Sequence, residues 1–339
     1  MCIFCQIKRW KQTADFVFLQ WHCRGAMDRL QNLRADDGLL LLGRLDGRLH
    51  NSACADIYLA RARLSGAAAL AGLAGVPISV RDLQAWIAGR SPPPRASEGL
   101  NDPYSVAAIF HLALSRDEDA QDPIARATLN VLRSILDDRA EAETYGRDDL
   151  AHFGPLWRQV RAAADAPFPD TDLRAVAERV FELSRLTEQV SADASEVVTV
   201  DGRSWALPPR SRDRNWLIAA AMPRMIHRGG FTTRTIPSLT LLPKFLPPSP
   251  TALTAALAEA LAAAAADGLR ELEAVERAVR RGRADLKVTK RSKTPALARL
   301  LVAYPGLQAS VVARLLGVTP QGARKLLASI PRPSGPMLV

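Results

Sequence analysis

From Leu39 onward, apolar residues recur at the three-to-four spacing of helices that bury one face. Ile57, Leu59, Ala60, Leu64, Ala67 and Ala68 make one such run, which Gly75-Val76-Pro77 breaks. Val80 to Ala88 predicts a short helix carrying Leu83, Trp86 and Ile87. Gly89-Arg90-Ser91-Pro92-Pro93-Pro94 then predicts an extended loop, because each proline disfavours helix in the residue before it. Asp102-Pro103 and Asp122-Pro123 each join an N-cap acceptor to a proline at the first helical position. The second precedes Ile124, Ala127, Leu129, Leu132, Ile135 and Leu136, and further helices are expected near 148–164 and 170–190. The best strand signal is Glu196-Val197-Val198-Thr199-Val200 with the turn pair Asp201-Gly202, enough for one small hairpin.

Two long segments follow with opposite character. Residues 205–250 contain eight prolines and no sustained period, which predicts an irregular connection rich in Pro and Arg. Beyond Ser249-Pro250, ten of the sixteen residues in 251–266 are Ala, so a long helix is expected over 251–285. Leu253, Leu257, Leu261, Leu269, Leu272 and Val275 give it an apolar stripe suited to packing or to dimer formation. The expected fold is therefore all-α. It comprises an N-terminal extension (1–38), a multi-helix body (39–204), the proline-rich segment (205–250), the Ala-rich helix and a C-terminal module (286–339).

That module fits a helix-turn-helix position by position. Thr294-Pro295 is expected to cap a helix running to Ala303, and Pro305-Gly306 to end it. A close two-helix crossing needs a small residue on the first helix, and Ala313 stands there. The turn needs a residue tolerant of positive φ four positions later, and Gly317 stands there. Val312, Leu316, Val318, Ala323 and Leu326 would line the inner faces, and Thr319-Pro320 would start the second helix. Gln321, Arg324 and Lys325 are left on its outer face, with Thr319 at its start. Gln and Arg can read adenine and guanine edges bidentately in the major groove, while Lys mainly meets phosphate.

Charge placement sharpens this reading. The net charge is +10, and residues 281–339 hold eleven Lys/Arg against the single acid Asp285. The remaining 34 basic and 34 acidic residues cancel, so a neutral body carries a strongly basic end. Lys287, Lys290, Arg291 and Lys293 form a linker suited to tracking a phosphate backbone. With about six to eight phosphate contacts, log affinity should fall with log salt at a slope of roughly −5 to −7. The expected partner is double-stranded DNA, bound by a homodimer because one small module needs a second half-site. Four cysteines clustered in the first 54 residues do not make a disulfide framework, and no stretch reads as a signal peptide or membrane span, so a cytoplasmic protein is expected.

From Leu39 the chain resembles the DUF1612 family, α-proteobacterial and often plasmid-borne proteins with a C-terminal helix-turn-helix. The resemblance is carried by Gly43-Arg44-Leu45-Asp46-Gly47-Arg48-Leu49, Trp86-Ile87-Ala88-Gly89-Arg90, Ser97-Glu98-Gly99-Leu100-Asn101-Asp102-Pro103, Phe153-Gly154-Pro155-Leu156-Trp157, Arg210-Ser211-Arg212-Asp213-Arg214-Asn215-Trp216 and the stretch from Leu300 to Ile330. It implies DNA binding through the C-terminal module, as in a transcriptional or plasmid-maintenance regulator, and supplies no catalytic residue. Residues 1–38 fall outside the resemblance. The chain ends in Pro331-Arg332-Pro333-Ser334-Gly335-Pro336 and three further residues, where similar domains continue into a β-wing.

Other constellations are weaker. Cys2-x-x-Cys5 with His22-Cys23 offers four possible zinc ligands, but adjacent His and Cys point apart, so no metal is expected. Glu98 and Asp102 are paired acids, of which a helix cap explains Asp102 and leaves Glu98 open. Arg210, Arg212, Arg214, Arg224 and Arg228, near Trp216 and His227, make a candidate phosphate or ligand site whose alternative is pairing with the body's acids. No P-loop, dinucleotide fingerprint, HExxH motif or nucleophile elbow is present, so no cofactor and no catalytic residue is expected. Two rival readings remain at this level: an enzyme acting on nucleotide or protein with a DNA-targeting tail, and an adaptor whose basic tail docks an acidic partner.

Overall fold

The computed structural model describes residues 35–91, 103–115, 146–189, 196–200, 203–207, 215–284 and 292–330. Asp122-Pro123 and its helix, the Ser97–Asp102 motif, Cys2, Cys5, His22 and Cys23 lie outside them. The fold is all-α apart from one hairpin. In chain order the body holds α1 (Ala35–Asn51), α2 (Ala55–Leu73), α3 (Val80–Ile87), α4 (Pro103–Ala113), α5 (Gly146–Asp165) and α6 (Leu173–Gln189). Strands β1 (Glu196–Val200) and β2 (Arg203–Leu207) follow, paired antiparallel with Val200 opposite Arg203, the register of a two-residue turn. Then come α7 (Asn215–Arg228) and α8 (Pro250–Ala284), and finally α9 (Thr294–Ala303), α10 (Ala309–Leu316) and α11 (Pro320–Ser329).

The 35-residue α8 is the axis, roughly 50 Å long at 1.5 Å per residue. Its apolar stripe is buried, with Leu253, Leu257, Leu261 and Leu272 fully covered, and it packs along α1 and α6. By length and composition alone this helix could cross a membrane, with mean hydropathy 1.4 over its apolar window. Here its stripe faces protein. Close approach of α1 is possible because Gly38 sits against Ala258 and Ala262, and because Gly268 of α8 sits against Tyr58 and Leu45. Helix α2 occupies the centre, meeting α4, α7, α3 and α9.

Two boundaries differ from expectation. The body begins inside α1, which starts at Ala35, so the break expected at 38/39 cuts a helix. Within the segment expected to be irregular, residues 215–228 form α7. Leu217 through Pro223, Met225 and Ile226 are buried there, even though Pro223 lies inside the helix. Seven consecutive buried residues, Leu217 through Pro223, leave that run without an alternation of polar and apolar positions. The following loop is tied back at Asp46 of α1, whose carboxylate accepts from the Thr233 amide at 3.0 Å and its hydroxyl at 3.1 Å.

Candidate nucleic-acid interface

The two helices α10 and α11 and the tight turn between them form where the sequence predicts them. Gly317 ends α10 in the left-handed region (φ 58°, ψ 49°), and the Val318 amide donates to the Ala313 carbonyl at 3.0 Å. The Thr319 hydroxyl accepts from the Gly322 amide at 3.1 Å, capping α11, with Pro320 in its first turn. Thr319 therefore acts as a cap. Val312 and Ala323 are fully buried at the crossing. Ala313, Leu316, Val318 and Leu326 pack partly buried around them. Helix α9 begins one residue differently from expectation: Lys293 holds the N-cap position, and the Ser292 hydroxyl accepts from the Thr294 amide at 3.2 Å.

The module's cations divide into two groups. Lys293, which remains exposed, donates its ammonium to the Leu316 carbonyl at 2.5 Å, closing the C-terminal end of α10. Arg299 donates to the Ala53 carbonyl at 2.8 Å and pairs with Asp56 of the body. By contrast, Arg314, Arg324 and Lys325 are exposed, as is Gln321, and none has an ion pair or hydrogen bond among the described residues. Gln321, Arg324 and Lys325 thus share the open side of α11 opposite Ala323. Lys287, Lys290 and Arg291 lie outside the described residues.

The module shares one hydrophobic core with the body. Leu297, Leu300, Ala303, Tyr304 and Leu307 are buried in it together with Trp86 and Ile87 of α3. Polar ties cross the same seam. Arg61 donates to the Val302 carbonyl at 3.3 Å, Gln84 to the Ala303 carbonyl at 3.2 Å, and the Gln308 amide to the Ala88 carbonyl at 2.9 Å. Sequence reasoning placed Gly89 at a loop start, but it has two tasks. It ends α3 at φ 77°, with the Arg90 amide reaching the Ala85 carbonyl at 2.8 Å. It also makes room for Val311, whose methyl would stand 2.8 Å from a Cβ at that position. Val311 and Arg314 are among the α10 residues that the sequence left unassigned. The α10 periodicity alone admits Val311 to the buried face, but does not say which partner covers it.

The arginine constellation resolves differently. Arg224 donates from Nε to Asp165 at 3.0 Å and pairs with it a second time through Nη2, while Arg228 stands 3.6 Å from the same carboxylate. Burial pushes the Asp165 carboxyl up, but hydrogen bonding and charge from Arg224, then Arg228 and Arg161, hold it below its ordinary value. These two arginines thus join α7 to α5, and Trp216 packs edge-on against Phe110 with ring centres 5.3 Å apart. They are not free to form an open phosphate site. Arg210, Arg212 and Arg214 lie outside the described residues.

Within the body, His111 is fully buried. Desolvation, followed by repulsion from the nearby Arg63 guanidinium, drives its imidazole down to about 3. It is therefore neutral at physiological pH. Burial pushes the Tyr58 hydroxyl up to about 12, and its side chain from α2 packs against Gly268 of α8. Among the described residues no cluster of three His, Cys, Asp or Glu side chains could hold a metal ion. No family model, curated protein or solved structure matches the chain.

Proposed function

We propose that this protein binds double-stranded DNA sequence-specifically through α11, as a cytoplasmic transcriptional or plasmid-maintenance regulator. In this reading it acts as a homodimer, and its helical body serves oligomerisation or sensing. One observation carries the reading: α11 turns Gln321, Arg324 and Lys325 outward without ionic partners among the described residues, in a stretch from 286 to 339 that contains no acidic residue. An ordinary solvated helix face mixes charge signs, whereas a phosphate-facing surface keeps one sign. With α11 in the major groove, Gln321 in the first turn reaches a base edge, Arg324 reads guanine or phosphate, and Lys325 meets phosphate.

The test is capture of fragmented DNA from the protein's own replicon at about 150 mM salt, beside an Arg324→Ala/Lys325→Ala variant. A few enriched sites that disappear in the variant support specific readout. Uniform weak enrichment, equal in both proteins, reduces the module to a generic phosphate binder and overturns the proposal.

A further inference from the structure

We infer that the body itself contributes a phosphate contact to the interface, Arg90 at the end of α3, so that the DNA-binding surface is composite. The inference rests on the reading of α11 as a duplex reader.

Arg90 is exposed and has no ion pair or side-chain hydrogen bond among the described residues. Its backbone is nonetheless fixed, because its amide closes the C-terminal cap of α3 on the Ala85 carbonyl at 2.8 Å. Its side chain lies over Gly306, in the turn that leads into α10. A Cβ on Gly306 would stand 3.0 Å from both Cδ and Nη1 of Arg90, and Gly306 adopts φ 80°. The same corner is held by the hydrogen bond from Gln308 to Ala88 and by Val311 against Gly89. A free guanidinium is thereby held where the first helix of the helix-turn-helix begins.

That location has a consequence for docking. When the second helix of such a motif lies in the major groove, the first crosses the sugar–phosphate backbone. A guanidinium seated over the turn that starts the first helix then meets phosphate oxygens, for which its planar fork is suited. Phosphate contacts of this kind set register and orientation and carry no base preference. Arg90 is accordingly a positioning contact, separate from Gln321 and Arg324.

The experiment compares the full-length protein with Arg90→Ala and Arg90→Lys, measuring fluorescence anisotropy on a labelled duplex from the replicon capture and on a scrambled duplex across a salt series. Thermal unfolding of each variant is recorded alongside. For Arg90→Ala, affinity should fall about three- to tenfold on both duplexes alike, and the slope of log affinity against log salt should become shallower by about 0.9. Arg90→Lys should recover the slope, because it keeps the charge. Gln321→Ala should lower the preference for the captured duplex and leave the slope unchanged. An unchanged slope with intact unfolding temperature overturns the inference and leaves the α11 reading standing. Weaker binding at an unchanged slope makes Arg90 only a brace for the Gly306 turn, which also overturns it. If the wild-type protein binds neither duplex, the α11 reading and this inference fall together.

Discussion

Replacing glycine by alanine at three helical positions separates what packing requires from what it does not. Gly66 on α2 faces the chain at Pro237: a Cβ there would stand 2.3 Å from the Pro237 carbonyl oxygen and 2.8 Å from a Leu114 methyl. Backbone that close cannot yield cheaply, which puts the overpacking cost at the upper end of its usual range, about 3 kcal/mol. The better helix propensity of Ala returns about 1 kcal/mol, so Gly66→Ala should destabilise the protein by about 2 kcal/mol net. Gly43 and Gly47 on α1 are the opposite case, exposed, with nothing within 4 Å of the added atom. There the propensity term stands alone, and each substitution should stabilise by about 1 kcal/mol. At ~2.1 cal/mol/K of unfolding entropy per residue over roughly 230 described residues, that gain is worth about 2 °C in Tm. Urea unfolding followed by circular dichroism reads both signs, provided the slope stays constant so that midpoints can be compared. A neutral Gly66→Ala would show that α2 and the Pro237 loop do not meet as described. A destabilising Gly43→Ala would show that the exposed face of α1 is covered in solution.

Further outcomes follow from the charged and capping groups. Removing Arg224 leaves the partly buried Asp165 carboxylate with only Arg228 and Arg161 nearby, so Arg224→Ala should destabilise by about 2 kcal/mol with DNA affinity unchanged; a loss of affinity at intact stability would return Arg224 to the ligand-binding set. The folded-state value of Asp165 is depressed, so its contribution is present above the ordinary carboxylate range and is lost as pH falls below it. His111 acts in the same direction over a higher window. Its folded value of about 3 lies below the ordinary 6.5, so its contribution is complete above 6.5 and drains away as pH falls toward 3. His111→Leu should flatten urea midpoints between those limits, and an unchanged pH profile would contradict its burial as a neutral group. Thr319→Ala should cost about 1 kcal/mol through loss of the α11 cap and weaken DNA binding on all sequences, as read by unfolding and anisotropy.

The α10–turn–α11 pair was legible in the sequence because its requirements are local. A positive φ at Gly317, a cap at Thr319 and small residues at the crossing all fall within 20 consecutive positions. The hairpin was legible for the same reason, since β-branched residues beside Asp201-Gly202 encode it without help from elsewhere. Helix α7 was hidden because its long run Leu217 through Pro223 is buried without a polar break and because Pro223 lies inside it, so it shows neither a clear alternation nor clean propensity. The docking of the module on the body could not be read at all. The Arg299–Asp56 pair joins residues 243 positions apart, and Gly89 meets Val311 across a similar distance. No periodicity encodes such pairings. For the same reason Lys293 looked like a phosphate contact: its residue type suits one, and only the fold shows its ammonium closing α10.

The central claim is that the outward face of α11 reads base sequence. Selection from a randomised duplex pool at about 150 mM salt, run in parallel on the full-length protein and on Gln321→Ala, tests it most directly. The account predicts one enriched motif for the wild type and a motif for the variant that has lost its preference at a single position, with flanking positions retained. A wild-type pool that stays random, or a motif identical in both proteins, would contradict it.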